Sequence, residues 1–294
     1  MATAPHACTF AYSSAPRLPL ASADGTRLHA SYFAARRPRA GLLLVHGLQS
    51  HARWFEVCPT ARNLAGAGIS CLAYDRRGSG RSDGKSGHAA SADDFLMDFA
   101  AGAAALRREL DADAGPGAPM HVLANCFGTR IVLPYLAAHP DVFRSVILTA
   151  PATHMSRRAS YGLGQKLSIL LAAAGTYFPT PLRDEDFVSA GPGLEWIRGD
   201  ALSLRRTTAS FLRSANRLTR RMWQAIPQLR LPLLVVLSRR DVLVDNEAIK
   251  RGFVAPYAGP KELVVYDTDH YVDFTSARPE LERKLDAWIS SVRT

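Results

Sequence analysis

An α/β fold, a mostly parallel twisted sheet flanked by helices and interrupted by a helical insertion, is predicted by three features of the sequence. Short apolar runs rich in β-branched residues alternate with helix-like stretches, the order that a parallel sheet requires. The alternation breaks over residues 151–230 and then resumes. One apolar run, Met120-His121-Val122-Leu123-Ala124-Asn125, ends abruptly in small residues and passes at once into a helix-like stretch at 129–138. At 294 residues the chain is long for one domain, yet it fits one core, residues 1–150 and 231–294, with residues 151–230 inserted as a cap or lid.

Taken in order, two strands are predicted at 7–13 and 26–34. Ala23-Asp24-Gly25 has the chemistry of the hairpin turn between them, which places an antiparallel edge before the parallel part of the sheet. A strand at 41–45, a helix around 60–67 and a strand at 69–74 follow. The helix at 93–110 opens on Ser91-Ala92-Asp93-Asp94, a capping residue followed by early acids. The strand that ends at Asn125 comes next, then another at 143–149. Beyond the insertion lie strands at 231–237 and 262–266 and a closing helix at 279–292. Within the insertion, the apolar stretch 167–174 is expected to pack on the core, with an acyl channel as the other use of such a surface.

Cys126 stands at the strand-to-helix turn, with Ala124 two residues before and Gly128 two residues after. This is the shape of a nucleophile elbow, whose strained central residue tolerates only small neighbours at those positions. Four further motifs accompany it. Leu42-Leu43-Leu44-Val45-His46-Gly47 is a strand ending in His-Gly, and Asp75-Arg76-Arg77-Gly78-Ser79-Gly80-Arg81-Ser82 is a glycine-rich loop. Leu237-Ser238-Arg239-Arg240-Asp241 ends a strand on an acid, and Asp269-His270 supplies a late histidine. In this order the motifs resemble those of the α/β-hydrolase superfamily, within it the branch of bacterial monoacylglycerol lipases and related acyl hydrolases, over nearly the whole chain. The departure is at the elbow, where the family's Gly-x-Ser-x-Gly reads Ala124-Asn125-Cys126-Phe127-Gly128.

The resemblance implies a triad of Cys126, Asp241 and His270, each at the C-terminal end of a predicted strand, where loops of a parallel sheet converge. His270 would accept and return the thiol proton, with Asp241 fixing its tautomer. Asp241 is favoured by its strand-end position, although Asp245, Asp267, Asp269 and Asp273 are also near in sequence. The implied oxyanion donors are the backbone N–H groups of Leu48 and Phe127. His46 is expected to shape that loop; His51, His88, His121, His139 and His154 are read as surface or packing residues.

A thiol ionises far more readily than an alcohol, and an acyl-enzyme on Cys126 would be a thioester. Exchange with a thioester donor is then nearly balanced in energy, whereas attack on an alkyl ester must expel a poorer leaving group. The elbow therefore favours an acyltransferase or thioesterase acting on acyl-CoA or acyl-carrier substrates, a pattern shared with the cysteine-dependent polyester synthases that it resembles. The alternatives are a carboxylester hydrolase of the monoacylglycerol lipase kind with cysteine in place of serine, and a non-catalytic ligand-binding module. The complete Cys126, Asp241, His270 set argues against the latter.

Composition narrows the partners. Hydrophobic residues make up 47% and charged residues 21%, as in soluble globular proteins, and no apolar stretch is long enough to span a bilayer. With no basic segment preceding an apolar core at the start, a cytoplasmic location is expected. Cys8, Cys58, Cys71 and Cys126 lie singly, so neither a zinc site nor a redox dithiol is expected, and Cys71 reads as a small buried hydrophobe. No phosphate loop or other cofactor motif is recognised, so no cofactor is expected. Of the net +10 charge, +7 falls in residues 151–230, which suggests coenzyme A, an acidic acyl carrier protein or an anionic membrane surface rather than nucleic acid.

Overall fold

The computed structural model describes residues 17–292. Its central sheet has eight strands in the order β1-β2-β4-β3-β5-β6-β9-β10. These are β1 (Arg17–Ala21), β2 (Arg27–Phe33), β3 (Ala40–Val45), β4 (Ile69–Tyr74), β5 (Met120–Asn125), β6 (Ser145–Thr149), β9 (Leu233–Ser238) and β10 (Lys261–Tyr266). β1 pairs antiparallel with β2, and β2 with β4; all the other pairings are parallel. A separate antiparallel pair, β7 (Tyr177–Pro179) and β8 (Arg206–Thr208), lies in the insertion.

The central strands are apolar throughout because helices cover both faces. Along β3 the side chains alternate: Leu43 and Val45 join one core cluster, and Leu42 and Leu44 the other. The first cluster is closed by α3 (Ala92–Ala114), α4 (Thr129–Ala138) and α7 (Ala209–Ala225), the second by α2 (Thr60–Gly66) and α9 (Arg278–Ser291). Ser91 begins α3 with a full capping box, its side chain accepting from the Asp94 N–H while the Asp94 carboxylate accepts from the Ser91 N–H.

The edge hairpin differs from the sequence expectation. Its turn is at the predicted residues, closed by the Ser22 N–H donating to Thr26 O at 2.8 Å, with Gly25 at φ +83°. The partner strand, however, is Arg17–Ala21, whereas the predicted strand at 7–13 lies outside the described residues. Sequence pattern hides this strand because Pro19 interrupts it and Leu20 is its sole buried residue; proline is tolerated at a sheet edge, where one side lacks a pairing partner.

The insertion between β6 and β9 also contains α5 (Leu163–Leu171) and α6 (Pro192–Gly199). The expectation that 167–174 packs on the core is not met: Leu163, Leu167, Leu170 and Leu171 of α5 are exposed and Ile169 alone in this helix is buried. In contrast, Phe211, Leu218 and Met222 of α7 belong to the same core cluster as β3 and β5. A third cluster, around Trp54 of the short helix α1 (Arg53–Val57), joins Phe187 of the insertion to Tyr271 and Phe274. A short helix, α8 (Asn246–Ile249), follows β9. Among the described residues, no helix is long and apolar enough to cross a membrane.

Candidate active site

Cys126 begins the single helical turn between β5 and α4 and has φ +45°, a left-handed conformation that cysteine rarely adopts. The fold enforces it by leaving no room on either side. Ala124 is fully buried in β5, and a Cβ on Gly128 would stand 2.9 Å from the Val45 carbonyl oxygen. The sulfur is thus turned out of the sheet and into a cavity whose wall it helps to form.

His270 is brought to the same place from the loop after β10. Its Nδ1 lies 2.6 Å from Asp241 Oδ2, both side chains being inaccessible to solvent. Asp241 is itself fixed from the end of β9, since its other oxygen accepts the N–H groups of Leu243 at 2.8 Å and Val244 at 3.2 Å. The competing acids are committed elsewhere. Asp245 caps α8, Asp267 and Asp269 pair with Arg240, and Asp273 accepts from Thr60. Burial alone would lower the His270 pKa, but Asp241 and Cys126 raise it more, to about 10. Nε2 is buried without a hydrogen-bond partner among the described residues, and Cys126 is close enough to act on the ring. Phe187 of the insertion packs edge-on against the imidazole at 5.6 Å and screens it from water.

The His46-Gly47-Leu48 loop approaches the elbow from β3. A Cβ on Gly47 would fall 2.8 Å from Asn125 Oδ1 and 3.5 Å from the Cys126 Cβ, so the close approach depends on glycine. Leu48 and Phe127 both line the cavity beside Cys126, and the Leu48 N–H donates to no group among the described residues. His46 is buried against Arg76, and burial followed by that positive charge holds it well below its ordinary pKa, hence neutral.

Sequence reasoning missed how this loop is held. Arg76 is almost wholly buried and donates to Gly47 O at 2.8 Å and Leu48 O at 2.6 Å, while its guanidinium lies 5.2 Å from the centre of the Phe127 ring. One side chain therefore touches both Leu48 and Phe127, which line the cavity beside Cys126. Its neighbour Arg77 turns the other way, to Asp98 and Asp24. Two adjacent arginines in a glycine-rich loop give no sign of which one turns inward.

The insertion grips the same loop. His51 Nε2 lies 2.7 Å from Asp200 Oδ2, Trp54 Nε1 donates to that oxygen at 3.1 Å, and Gln49 Nε2 donates to Asp184 Oδ1 at 2.7 Å. Burial would raise the Asp200 carboxyl, but bonds from His51 and Ser203 hold it at about 2. A depressed carboxyl adds stability above its unfolded pKa that is lost as pH falls through the folded value, here between about 4 and about 2. Asp200→Asn is expected to destabilise the protein by about 3 kcal/mol and to flatten that acid limb, which thermal melts across the pH range will report.

The cavity above Cys126 has a volume of about 580 Å³. Leu48, Met155, Ile169, Leu182 and Phe211 give it apolar walls, and Arg130, Lys166, Arg213 and Arg220 supply cationic ones. Among the described residues no cluster of His, Cys, Asp or Glu could hold a metal ion. Cys58 and Cys71 are buried away from the cavity, and burial pushes the Cys71 thiol well up, which fits its reading as a packing residue. Cys8 lies outside the described residues.

Solved structures share this architecture. A soluble variant of monoglyceride lipase from Saccharomyces cerevisiae superposes with a TM-score of 0.80 at 18% identity, covering 96% of this chain and 98% of that one. Monoacylglycerol lipase from Paleococcus ferrophilus gives 0.76 at 21% identity, covering 90% and 98%. In sequence, a monoacylglycerol lipase from Mycolicibacterium smegmatis is 29% identical over 210 residues, 70% of this chain and 72% of that protein. The family model described as serine aminopeptidase, S33 (Hydrolase_4) matches residues 36–269. With that match spanning the sheet from β3 to β10, the elbow and the Asp241 loop, the chain belongs to this family and is an α/β-hydrolase enzyme of the lipase and esterase type.

Proposed function

We propose that the protein is an acyl-transfer enzyme that works through a thioester on Cys126, accepts thioester-type donors such as acyl-CoA or carrier-bound acyl groups, and passes the acyl group to water or another nucleophile. The observation that carries this reading is the elbow cysteine, held at φ +45° beside a buried His270–Asp241 pair. With Asp241 behind it, His270 keeps its proton at neutral pH and presents an imidazolium to the Cys126 sulfur. The sulfur attacks the donor carbonyl, and the N–H groups of Leu48 and Phe127 receive the developing oxyanion. Expulsion of the donor thiolate takes the Nε2 proton. The neutral ring then deprotonates the incoming acceptor, which attacks the acyl-enzyme and releases Cys126. Residues 151–230 act in this scheme as a cap, screening His270 through Phe187 and bracing the oxyanion loop through Asp184 and Asp200.

The second reading is a carboxylester hydrolase in which Cys126 replaces serine, favoured by the monoacylglycerol lipase relative. Comparing kcat/KM on matched thioester and oxyester substrates separates the two. The first reading expects a preference for thioester that Cys126→Ser reverses; equal or better oxyester turnover by the unaltered enzyme supports the second.

The pH dependence has an opposite sign in the two proteins. With His270 protonated up to about 10, thioester turnover should hold at neutral pH and fall as pH rises through that value, because the leaving group loses its acid. In Cys126→Ser the ring must be neutral to act as a base, so activity should rise with pH. Coincident profiles for the two proteins would contradict the scheme.

Gly47→Ala tests the oxyanion loop. Its Cβ forces the loop away from Asn125, so kcat is expected to fall by roughly 10²- to 10³-fold, as on losing one oxyanion donor. Binding of a non-reactive substrate analogue, measured alongside kcat, should change little.

A further inference from the structure

We infer that the cavity above Cys126 takes an acyl donor whose non-reacting end carries a phosphate ester, held by Lys166 and Arg220 with Arg130 and Arg213 behind them. The inference rests on the proposed reading of Cys126 as the acyl acceptor and adds the chemical class of its donor.

The wall is divided by chemistry. Its apolar side chains suit an acyl chain, but it also bears four cations and not one carboxylate. A cavity for a neutral ester has no use for that imbalance, since cations facing one another across a concave surface repel and raise its positive potential. Elsewhere in the insertion four cations are neutralised locally: Arg158 pairs with Asp186, Arg198 with Glu185, Arg205 with Asp184 and Arg221 with Asp93. None of the four cations at the cavity forms an ion pair among the described residues. Lys166 of α5 and Arg220 of α7 are exposed, and their side chains make no hydrogen bond or ion pair among the described residues. Arg130 commits only Nε, to Ala152 O at 3.0 Å, and Arg213 commits Nη1 to the carbonyls of Ile169 and Ala172, each at 2.9 Å.

Helix geometry aims the cations together. Arg213, Asn216 and Arg220 lie at i, i+3 and i+7 of α7 and all line the cavity, while Phe211, Leu218 and Met222 hold another face of that helix in the core. Lys166 comes from α5, which packs beside α7. Charge-bearing donors from α4, α5 and α7 thus line a space that opens onto Cys126. A phosphate monoester, with close to two negative charges and three acceptor oxygens, matches that donor set better than a single carboxylate.

The same chemistry occurs at the end of a 4′-phosphopantetheine thioester and in the lysophosphatidate headgroup, so the test uses both. Affinities of Cys126→Ala, which cannot be acylated at that position, are measured for octanoyl-4′-phosphopantetheine against octanoylpantetheine, and for lysophosphatidate against monoacylglycerol. Each pair differs by the phosphate alone. In at least one pair the phosphate member should bind about tenfold or more tightly, by the worth of a charge-assisted hydrogen bond. Added Lys166→Gln and Arg220→Gln substitutions should collapse the difference, and salt should weaken the phosphate member selectively. An effect in the pantetheine pair assigns a thioester source, and one confined to the lipid pair a phospholipid source. Equal affinities within both pairs, or a phosphate preference that survives both substitutions, would overturn the inference. Acylation of the unaltered enzyme by octanoylpantetheine, read by intact mass, reports on Cys126 separately and needs no phosphate.

Discussion

Cys126→Ala is expected to lower thioester turnover by about 10⁴-fold or more, since deleting the nucleophile of a matched triad leaves only what the oxyanion donors and substrate binding contribute. The substitution is sterically mild. Cys126 is 4% exposed, its neighbours are already fitted to a left-handed residue, and alanine removes just the sulfur. Stability should therefore change far less than activity, and folding can be checked by circular dichroism and thermal melting. Iodoacetamide should inactivate the unaltered enzyme, with protection by substrate, because Cys126 is the cysteine among the described ones that lines the cavity. Undiminished turnover by Cys126→Ala would remove the covalent scheme altogether.

Asp241→Asn ranks second, with a fall in kcat of about 10⁴-fold. Two effects combine. Asp241 is the main group raising the His270 pKa against burial, so its neutralisation should bring the imidazole down from about 10. Asparagine can also present its amide N–H to Nδ1, which would place the remaining proton on Nε2 and leave no base facing Cys126. NMR titration of the His270 ring, read beside kcat, distinguishes this from simple unfolding. A variant that keeps its activity while the ring pKa stays high would show that another carboxylate carries the role.

The sheet and the elbow were legible because each carries a local signature. A strand buried on both faces is a continuous apolar run, and a strained turn excludes large neighbours, so β3 to β6 and the Ala124–Cys126–Gly128 spacing can be read from single segments. The choice of Asp241 among five nearby acids followed from strand-end position together with the match to the family pattern, and the fold pairs that residue with His270. The unread features depend on contacts between distant segments. Arg76 and Arg77 are chemically identical in sequence and are told apart by which acids and carbonyls the fold brings near. Asp200 meets His51 across 149 residues, and no local pattern records such a meeting. The exposed leucines of α5 defeat periodicity for another reason: a helical apolar stripe is the same whether its face meets a core, a cavity or solvent.

Catalysis in this scheme passes through a covalent bond between the Cys126 sulfur and an acyl carbonyl carbon, and intact mass spectrometry after mixing with a short acyl thioester reads that bond itself. A single added acyl mass is expected, mapped to the peptide bearing Cys126, released by hydroxylamine and missing in Cys126→Ala. An adduct of the same size and rate in Cys126→Ala, or turnover of the thioester with no acyl group ever found on that cysteine, would contradict it.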